Sequence, residues 1–401
     1  VFLAGGVVRD LLRETAPGRD ETGGANGDVD LVVEGDGLGF ARALADALGS
    51  DGAASLVEHE RFLTASMTVA GTGRIDVATA RSERYERPGA LPRVLPATIE
   101  QDLGRRDFSV NAMAVELDGG GFGLLDHFGG RTALARRRLS VLHTLSFVED
   151  PTRMFRAARY GVRLGFALDA WTARVQALAL QLAPYSALSG ARLLTELELV
   201  VAEPKGGAAL ERLGRAGVLR LLDPRYRFAR VTATRLGDLA PALDWVRAAG
   251  LPVSPVELAL LTILADQPSD VAGAVLGRLG LSGEPRSRIE RALVAPAPRT
   301  PADRPSARAR RLRERSPLEL AWLQMTGDDA SRADVGWFVR EARGTRPLLG
   351  GDDVVRLGVP RGPAVARALG ALNDARLDGA LKDREEEEAF VRDLVGRREE
   401  G

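Results

Sequence analysis

The feature that most restricts the fold is a change of apolar periodicity near residue 140. Ahead of it, strand-like and helix-like patterns alternate. Residues 1–4 are apolar, Gly5-Gly6 turn the chain, and 7–14 read as a helix start. A Gly-rich loop at 15–27 leads to a strand at 29–33 and an amphipathic helix over 38–49. Strand-like 62–69 and 74–79, a Pro/Gly-rich stretch at 86–97 and a strand near 111–117 follow. From about residue 150 the apolar residues recur at helical spacing, with breaks at Pro184, Pro204, Pro224, Pro252 and Pro285, and strand-like alternation all but vanishes. The pattern predicts an α/β head and an elongated all-helical remainder. Arg/Pro-rich 296–315 reads as a linker or an exposed basic helix, and the acidic run Glu385–Glu388 as a solvated helix face.

Composition narrows the chemistry. The 401 residues include no cysteine, which excludes disulfides, zinc–thiolate sites and thiol nucleophiles. His59, His127 and His143 are too few and too scattered for a histidine-rich metal site, so a metal, if used, should be a hard ion held by oxygen. The 55 basic and 55 acidic residues cancel, which argues against coating of nucleic acid by bulk charge. Lysine stands only at 205 and 382, so local arginine clusters carry more information than the arginine total. No apolar run approaches the roughly 18 residues of a membrane span, and no signal peptide is visible. The expected setting is therefore the cytoplasm, with no membrane partner and no obligate protein partner. The chain begins without methionine and already inside a strand, so a preceding N-terminal piece is expected.

Asp28-Val29-Asp30 opens an apolar strand. Side chains at i and i+2 of a strand share a face, about 7 Å apart, and two carboxylates so placed can share one or two divalent ions. That suits two-metal phosphoryl transfer, although a D-x-D by itself is also a common surface turn. Asp76, in the apolar strand Arg-Ile-Asp-Val-Ala, is the candidate third carboxylate; paired with an arginine, it would be only a strand-edge acid. Upstream, Gly5-Gly6-Val7-Val8-Arg9-Asp10 lies between strand and helix. Paired glycines let backbone N–H groups approach a triphosphate at a helix N-terminus, and Arg9 could contact phosphate.

These residues resemble the class II tRNA nucleotidyltransferase and bacterial poly(A) polymerase family. The resemblance runs through GGVVRD (5–10), DVDLVVEGD (28–36), RRDFSVNAMA (105–114), FVEDPTRMFRAAR (147–159) and SGARLLTELELV (189–200), in family order over about 200 residues. It extends to GVPRGPAVARAL (358–369) and ARLDGAL (375–381) in the helical C-terminus. It implies an α+β, polymerase-β-like nucleotidyltransferase head over 1–140, a neck with the base-selecting helix over 141–205, a helical body over 206–310 and a helical tail over 311–401. In the family the helical parts hold the tRNA acceptor stem and elbow; no individual residue there is assigned to RNA. Asp28 and Asp30 match the metal-binding pair, implying Mg²⁺, with Mn²⁺ as a substitute. Gly5, Gly6 and Arg9 match the triphosphate contacts. Arg105, Arg106, Asp107 and Asn111 match the motif that holds ribose and phosphates, and Glu149, Asp150, Arg153 and Arg156 the motif that selects the incoming base. Two departures are the 13-residue loop before Asp28 and Asp126-His127-Phe128-Gly129-Gly130, where many members carry Asp-Pro.

Asp150 and Arg153 are three apart on the first turn of a predicted helix and so share a face. Cytosine and adenine both carry an exocyclic amino donor beside a ring-nitrogen acceptor, which a carboxylate and a guanidinium can match. Uracil and guanine would turn a carbonyl oxygen toward the carboxylate. The plainer alternative is that Asp150 is only an N-cap with Pro151 at the first helical position and Arg153 a surface residue; Asp150 could also do both jobs, one oxygen capping and the other reading. Arg105-Arg106-Asp107 could likewise be a surface ion cluster. The segment Arg81–Gln101 is a loop of full length for the family, and TARSERYERPGALPRV (79–94) looks most like the subgroup adding only the final A. The expected function is template-independent addition of CCA, or part of it, to tRNA from CTP and ATP, with release of pyrophosphate. Rival readings are a poly(A) polymerase and a catalytically inactive RNA-binding relative.

Overall fold

A computed structural model describes residues 1–14, 29–69, 73–182, 185–295 and 304–399. The chain divides into two compact units, one of residues 1–226 with 278–280, the other of 227–277 with 281–401.

The first unit begins with β1 (Phe2–Ala4), the turn at Gly5, α1 (Gly6–Glu14) and β2 (Val29–Val33). Then come α2 (Gly37–Gly52), β3 (Ala53–His59), β4 (Thr64–Val69) and β5 (Gly73–Thr79). β6 (Arg81–Arg84) and β7 (Arg93–Pro96) form a separate antiparallel hairpin, followed by α3 (Ile99–Gly104), β8 (Ala114–Glu116) and β9 (Leu124–Leu125). Seven strands make one mixed sheet in the order β3-β4-β5-β2-β1-β8-β9, in which only β2 and β5 run parallel.

Strand alternation divides β2 between two faces. Leu31 and Val33 pack with Ala41 of α2, Met67 and Val77 on one side. Val32 packs on the other, with Phe2, Ala4, Ile99 and Leu103. Asp30, two residues before Val32, shares this second face. The β2–β5 register sets Asp30 directly beside Asp76. Two apolar strands thus carry a carboxylate each to the sheet face that α2 leaves uncovered.

The rest of the unit is nearly all helical: α4 (Gly130–Ala135), α5 (Ser146–Glu149), α6 (Thr152–Arg163), α7 (Ala170–Leu182), α8 (Gly190–Val201) and α9 (Gly206–Arg215). A two-stranded parallel pair, β10 (Arg138–Leu139) and β11 (Ala167–Leu168), brackets α6. α6 packs against α8 and α9 and buries Met154, Phe155, Ala157 and Ala158.

The second unit is helical. One of its cores gathers Ala309, Leu312, Leu320, Leu323, Val335 and Phe338; another gathers Leu349, Val354, Val359, Leu372 and Val391. The basic stretch expected as linker or helix contains a helix over Pro305–Arg313, while 296–303 lie outside the described residues. Among the described residues, no helix is long and apolar enough to cross a membrane.

Two expectations need correction. Arg81–Gln101 is not a plain loop, because β6, β7 and the start of α3 form within it. Nor is the whole run Glu385–Glu388 a solvated face. Glu387 is fully buried and accepts hydrogen bonds from the backbone of Leu348 and Leu349 and from Arg376, at 3.0, 2.9 and 2.9 Å. Burial of a charge is tolerable there because it is paired and satisfied.

Candidate active site

A cleft of about 960 Å³ opens in the first unit. Asp30 and Asp76 line it from the sheet, Gly6, Arg9 and Asp10 from α1, and Arg105, Arg106, Asp107 and Asn111 from the segment after α3. Asp150, Arg153, Arg156 and Tyr160 complete it from α6 and the turn before it. Asp28 and the loop at 15–27 lie outside the described residues. Among the described residues, no group of three metal-ligating side chains is assembled.

Asp76 is held on one oxygen. Its Oδ1 accepts from Ser66 Oγ at 2.5 Å and from Arg74 Nε at 2.9 Å. The pairing with arginine allowed by the sequence is therefore present, yet Asp76 still faces the cleft in register with Asp30.

Gly5 adopts φ +81°, a left-handed conformation that favours glycine, and its N–H donates to the Met113 carbonyl at 3.1 Å. A Cβ at Gly5 would run into Nη1 of Arg106, so the bare backbone lets that guanidinium lie across the turn. Gly6 then opens α1. Arg9 is 5% exposed; its Nε and Nη2 donate to the two oxygens of Asp10, and Nη1 donates to Asn111 Oδ1 at 2.7 Å. Burial disfavours the Asp10 charge, but Arg9 and Arg13 outweigh it and hold that carboxyl below its usual range.

Around the arginine pair the organising residue is one the sequence did not announce. Asp102 on α3 is fully buried and accepts from Arg105 at 2.7 and 3.0 Å, from Arg106 at 3.1 and 3.3 Å, and from the Arg81 backbone at 3.2 Å. Desolvation opposes its charge, yet the two arginines win and its pKa is lowered. Arg105 also donates to Glu83 at 2.7 Å, and Arg106 to the Asn111 carbonyl at 3.4 Å; both guanidinium groups line the cleft and each keeps two of its five N–H donors beyond these bonds. Asp107 is 5% exposed and works through its neighbours. Its Oδ1 accepts from Phe108 N and Asn111 Nδ2, and its Oδ2 from Arg156 Nε at 2.7 Å. Burial pushes its pKa up, but Arg156 foremost, with Asn111 and Arg153, brings it below the usual carboxylate range. Arg156 is raised in turn, chiefly by Asp107.

At the start of α6, Asp150 Oδ1 accepts from the Thr152 backbone at 3.1 Å, the Thr152 hydroxyl at 2.7 Å and Arg192 Nη2 at 2.8 Å. Its Oδ2 makes no hydrogen bond among the described residues. The capping contact allowed by the sequence thus falls on Oδ1 alone. Arg153, 4% exposed, donates from Nη1 to Ser146 Oγ and from Nη2 to the Arg105 carbonyl, each at 2.7 Å. Three of its five N–H donors remain. Glu149 does not line the cleft; it faces His143 at 3.5 Å, and burial foremost raises its pKa.

Arg192 of α8 is the second residue that sequence reasoning passed over. Besides Asp150 it holds the Gly89 carbonyl at 2.7 Å, and the Gly89 N–H donates to the Glu149 carbonyl at 3.1 Å. Gly89 has φ +75°, and a Cβ there would sit 3.1 Å from Leu188 Cβ. The loop of the β6–β7 hairpin is therefore pinned to both α5 and α8.

Residues 1–140 match the Poly A polymerase head domain. A CC-adding tRNA nucleotidyltransferase of Deinococcus radiodurans is 35% identical over 401 residues, covering 98% of this chain and 89% of that protein. The chain belongs to the tRNA nucleotidyltransferase family. An A-adding tRNA nucleotidyltransferase of Geobacter sulfurreducens is 34% identical over 96% of this chain, which spans only 44% of that protein. Two further A-adding relatives are matched over 53% and 28% of their lengths, so the chain spans about half or less of these A-adding proteins. Among solved structures, a CCA-adding enzyme in an apo form superposes with a TM-score of 0.84 at 30% identity, over 98% of this chain and 91% of that one. The tRNA nucleotidyltransferase fold expected from the motifs, a mixed-sheet head with a helical remainder, is the fold observed.

Proposed function

We propose that this chain carries the active site of a template-independent nucleotidyltransferase that adds nucleotides to the 3′ end of tRNA in the cytoplasm, with the terminal A as its product. The observation that carries the reading is that one cleft brings together Asp30, Asp76, the Gly5-Gly6 turn, Arg106, Asp150 and Arg153 from five separate stretches of sequence. The tRNA partner, with ATP and CTP as candidate nucleotides, follows from the names of the relatives and from the family's use of the helical parts. The terminal-A assignment rests on the hairpin segment 79–94 and its attachment to the base-selecting turn.

The donor set suits Mg²⁺, since Asp30 and Asp76 offer only hard oxygen from neighbouring strands and Asp28 precedes Asp30 by two residues. When bound, Mg²⁺ would lower the charge of the triphosphate and acidify the attacking 3′-hydroxyl. The protein's own contributions are positional. Ser66 and Arg74 fix Asp76, leaving Oδ2 without a hydrogen bond among the described residues. Gly6 at the α1 N-terminus and Arg106 supply N–H donors where phosphate negative charge gathers. Asp150 Oδ2 accepts from the exocyclic amine of adenine or cytosine, while Arg153 donates to the adjacent ring nitrogen. A base with a carbonyl in place of the amine leaves that oxygen unpaired, a cost of about 1–3 kcal/mol.

Nucleotide incorporation on tRNA truncated by one, two or three terminal residues, with ATP and CTP supplied separately, tests the reading. The expected result is AMP addition to tRNA ending in CC and none to shorter ends. CMP addition to the shortest tRNA would replace A addition by CC or CCA addition. Long A tails on an unstructured RNA primer would favour a poly(A) polymerase.

A further inference from the structure

Tyr160 stands in the cleft with a part that none of the assigned roles uses. Its ring centroid lies 5.6 Å from Arg9 Cζ and 5.9 Å from Arg156 Cζ, and its hydroxyl accepts weakly from Arg156 Nη2 at 3.4 Å. Phe108 meets the ring edge-on, at 6.1 Å and 89°. Arg156 and Tyr160 are four apart on α6 and share a face, whereas Arg9 comes from α1, some 150 residues away.

Two guanidinium groups at one ring repel each other, so the arrangement needs compensation. Asp10 holds Arg9, and Asp107 holds Arg156. Asn111 ties the two pairs together, accepting from Arg9 at 2.7 Å and donating to Asp107 at 3.0 Å. The electron-rich ring face closes this circuit on its remaining side. Arg156 Nη1 has no hydrogen-bond partner among the described residues, and the Arg156 side chain is 41% exposed. The circuit therefore holds two cations rigidly while leaving donors directed at the cleft.

We propose that Tyr160 is a positioning residue that locks Arg9 and Arg156 into a two-cation receptor for the triphosphate of the incoming nucleotide. The inference rests on the nucleotidyl-transfer reading and assigns Arg156 to phosphate rather than to the base. A receptor pre-set in this way loses little side-chain entropy on binding, which favours affinity for the phosphate chain over affinity for the nucleoside.

The test replaces Tyr160 with phenylalanine and then with phenylalanines of rising ring fluorination. This weakens the ring face while keeping its shape and packing. Inorganic tripolyphosphate and adenosine are titrated separately into the full chain, and KM for ATP is measured beside kcat. Tyr160→Phe keeps tripolyphosphate affinity within about threefold, since a 3.4 Å hydroxyl contact is weak. Fluorination lowers tripolyphosphate affinity stepwise, to about tenfold for the most substituted ring, and raises KM for ATP in parallel. Adenosine binding and kcat stay put. Tripolyphosphate affinity that is flat across the series, or an equal loss for tripolyphosphate and adenosine, overturns the proposal. A parent chain that binds tripolyphosphate and follows the fluorination series, yet transfers no nucleotide to tRNA, sinks the functional reading and leaves the receptor standing.

Discussion

Replacing Asp102 with asparagine should loosen the arginine wall of the cleft without altering any residue that meets substrate. Asp102 is fully buried and accepts five hydrogen bonds, four of them from the guanidinium groups of Arg105 and Arg106. Asparagine keeps the shape, but one oxygen becomes an N–H donor facing another donor. Breaking a buried ion pair from one side costs about 3–5 kcal/mol. Here Glu83 still holds Arg105, and the two arginine side chains are 19% and 17% exposed, so about 2–3 kcal/mol is the better figure. For a unit of this size that lowers Tm by about 4–12 °C. Calorimetry of the whole chain, following the transition that added ATP raises, reads the shift. Apparent ATP affinity falls about tenfold as Arg106 loses its anchor. The pH dependence supplies a second check. The folded pKa of Asp102 lies below its unfolded value near 3.8, so its stabilisation is complete above that value and is lost as pH falls through the lowered folded pKa. Asp102→Asn should therefore flatten the stability profile in this acid window alone. An unshifted transition together with unchanged ATP affinity would refute the reasoning.

Gly5→Ala places a Cβ against Arg106 and strains a φ of +81°, so a loss of about 1–3 kcal/mol in stability and a raised KM for ATP are expected from thermal melts and kinetics. Arg192→Ala releases the Gly89 carbonyl and removes the arginine that pairs with Asp150; competition assays should show discrimination for ATP over UTP falling about tenfold, with tRNA affinity unchanged. Glu387→Ala strips the partner from two backbone N–H groups and from Arg376, and urea unfolding should show a loss of about 3–5 kcal/mol with nucleotide binding preserved.

Legibility in the sequence followed the range of the interactions. Asp30 and Asp76 could be read because a single acid inside an apolar strand has a defined face, and the pairing of β2 with β5 then set them side by side. The motif arginines were visible, but their division of labour was not. Asp102 stands three and four residues before Arg105 and Arg106, the right spacing for a helical ion pair, yet nothing local signals that it is fully buried. Arg192 reaches Asp150 across 42 residues and Gly89 across 103, contacts that only the packing of α8 against α6 creates. Glu387 was hidden by its acidic neighbours, because a charge run reads as solvated until one member finds buried donors. The hairpin was masked by its own prolines and glycine, which mark the connecting turn more loudly than four-residue strands mark themselves.

The central claim, that sheet-borne carboxylates drive nucleotide transfer, is tested most directly by Asp30→Ala, assayed for AMP incorporation and for tRNA binding in the same preparation. The account predicts that incorporation disappears while tRNA affinity is retained. Turnover near that of the parent chain would contradict it.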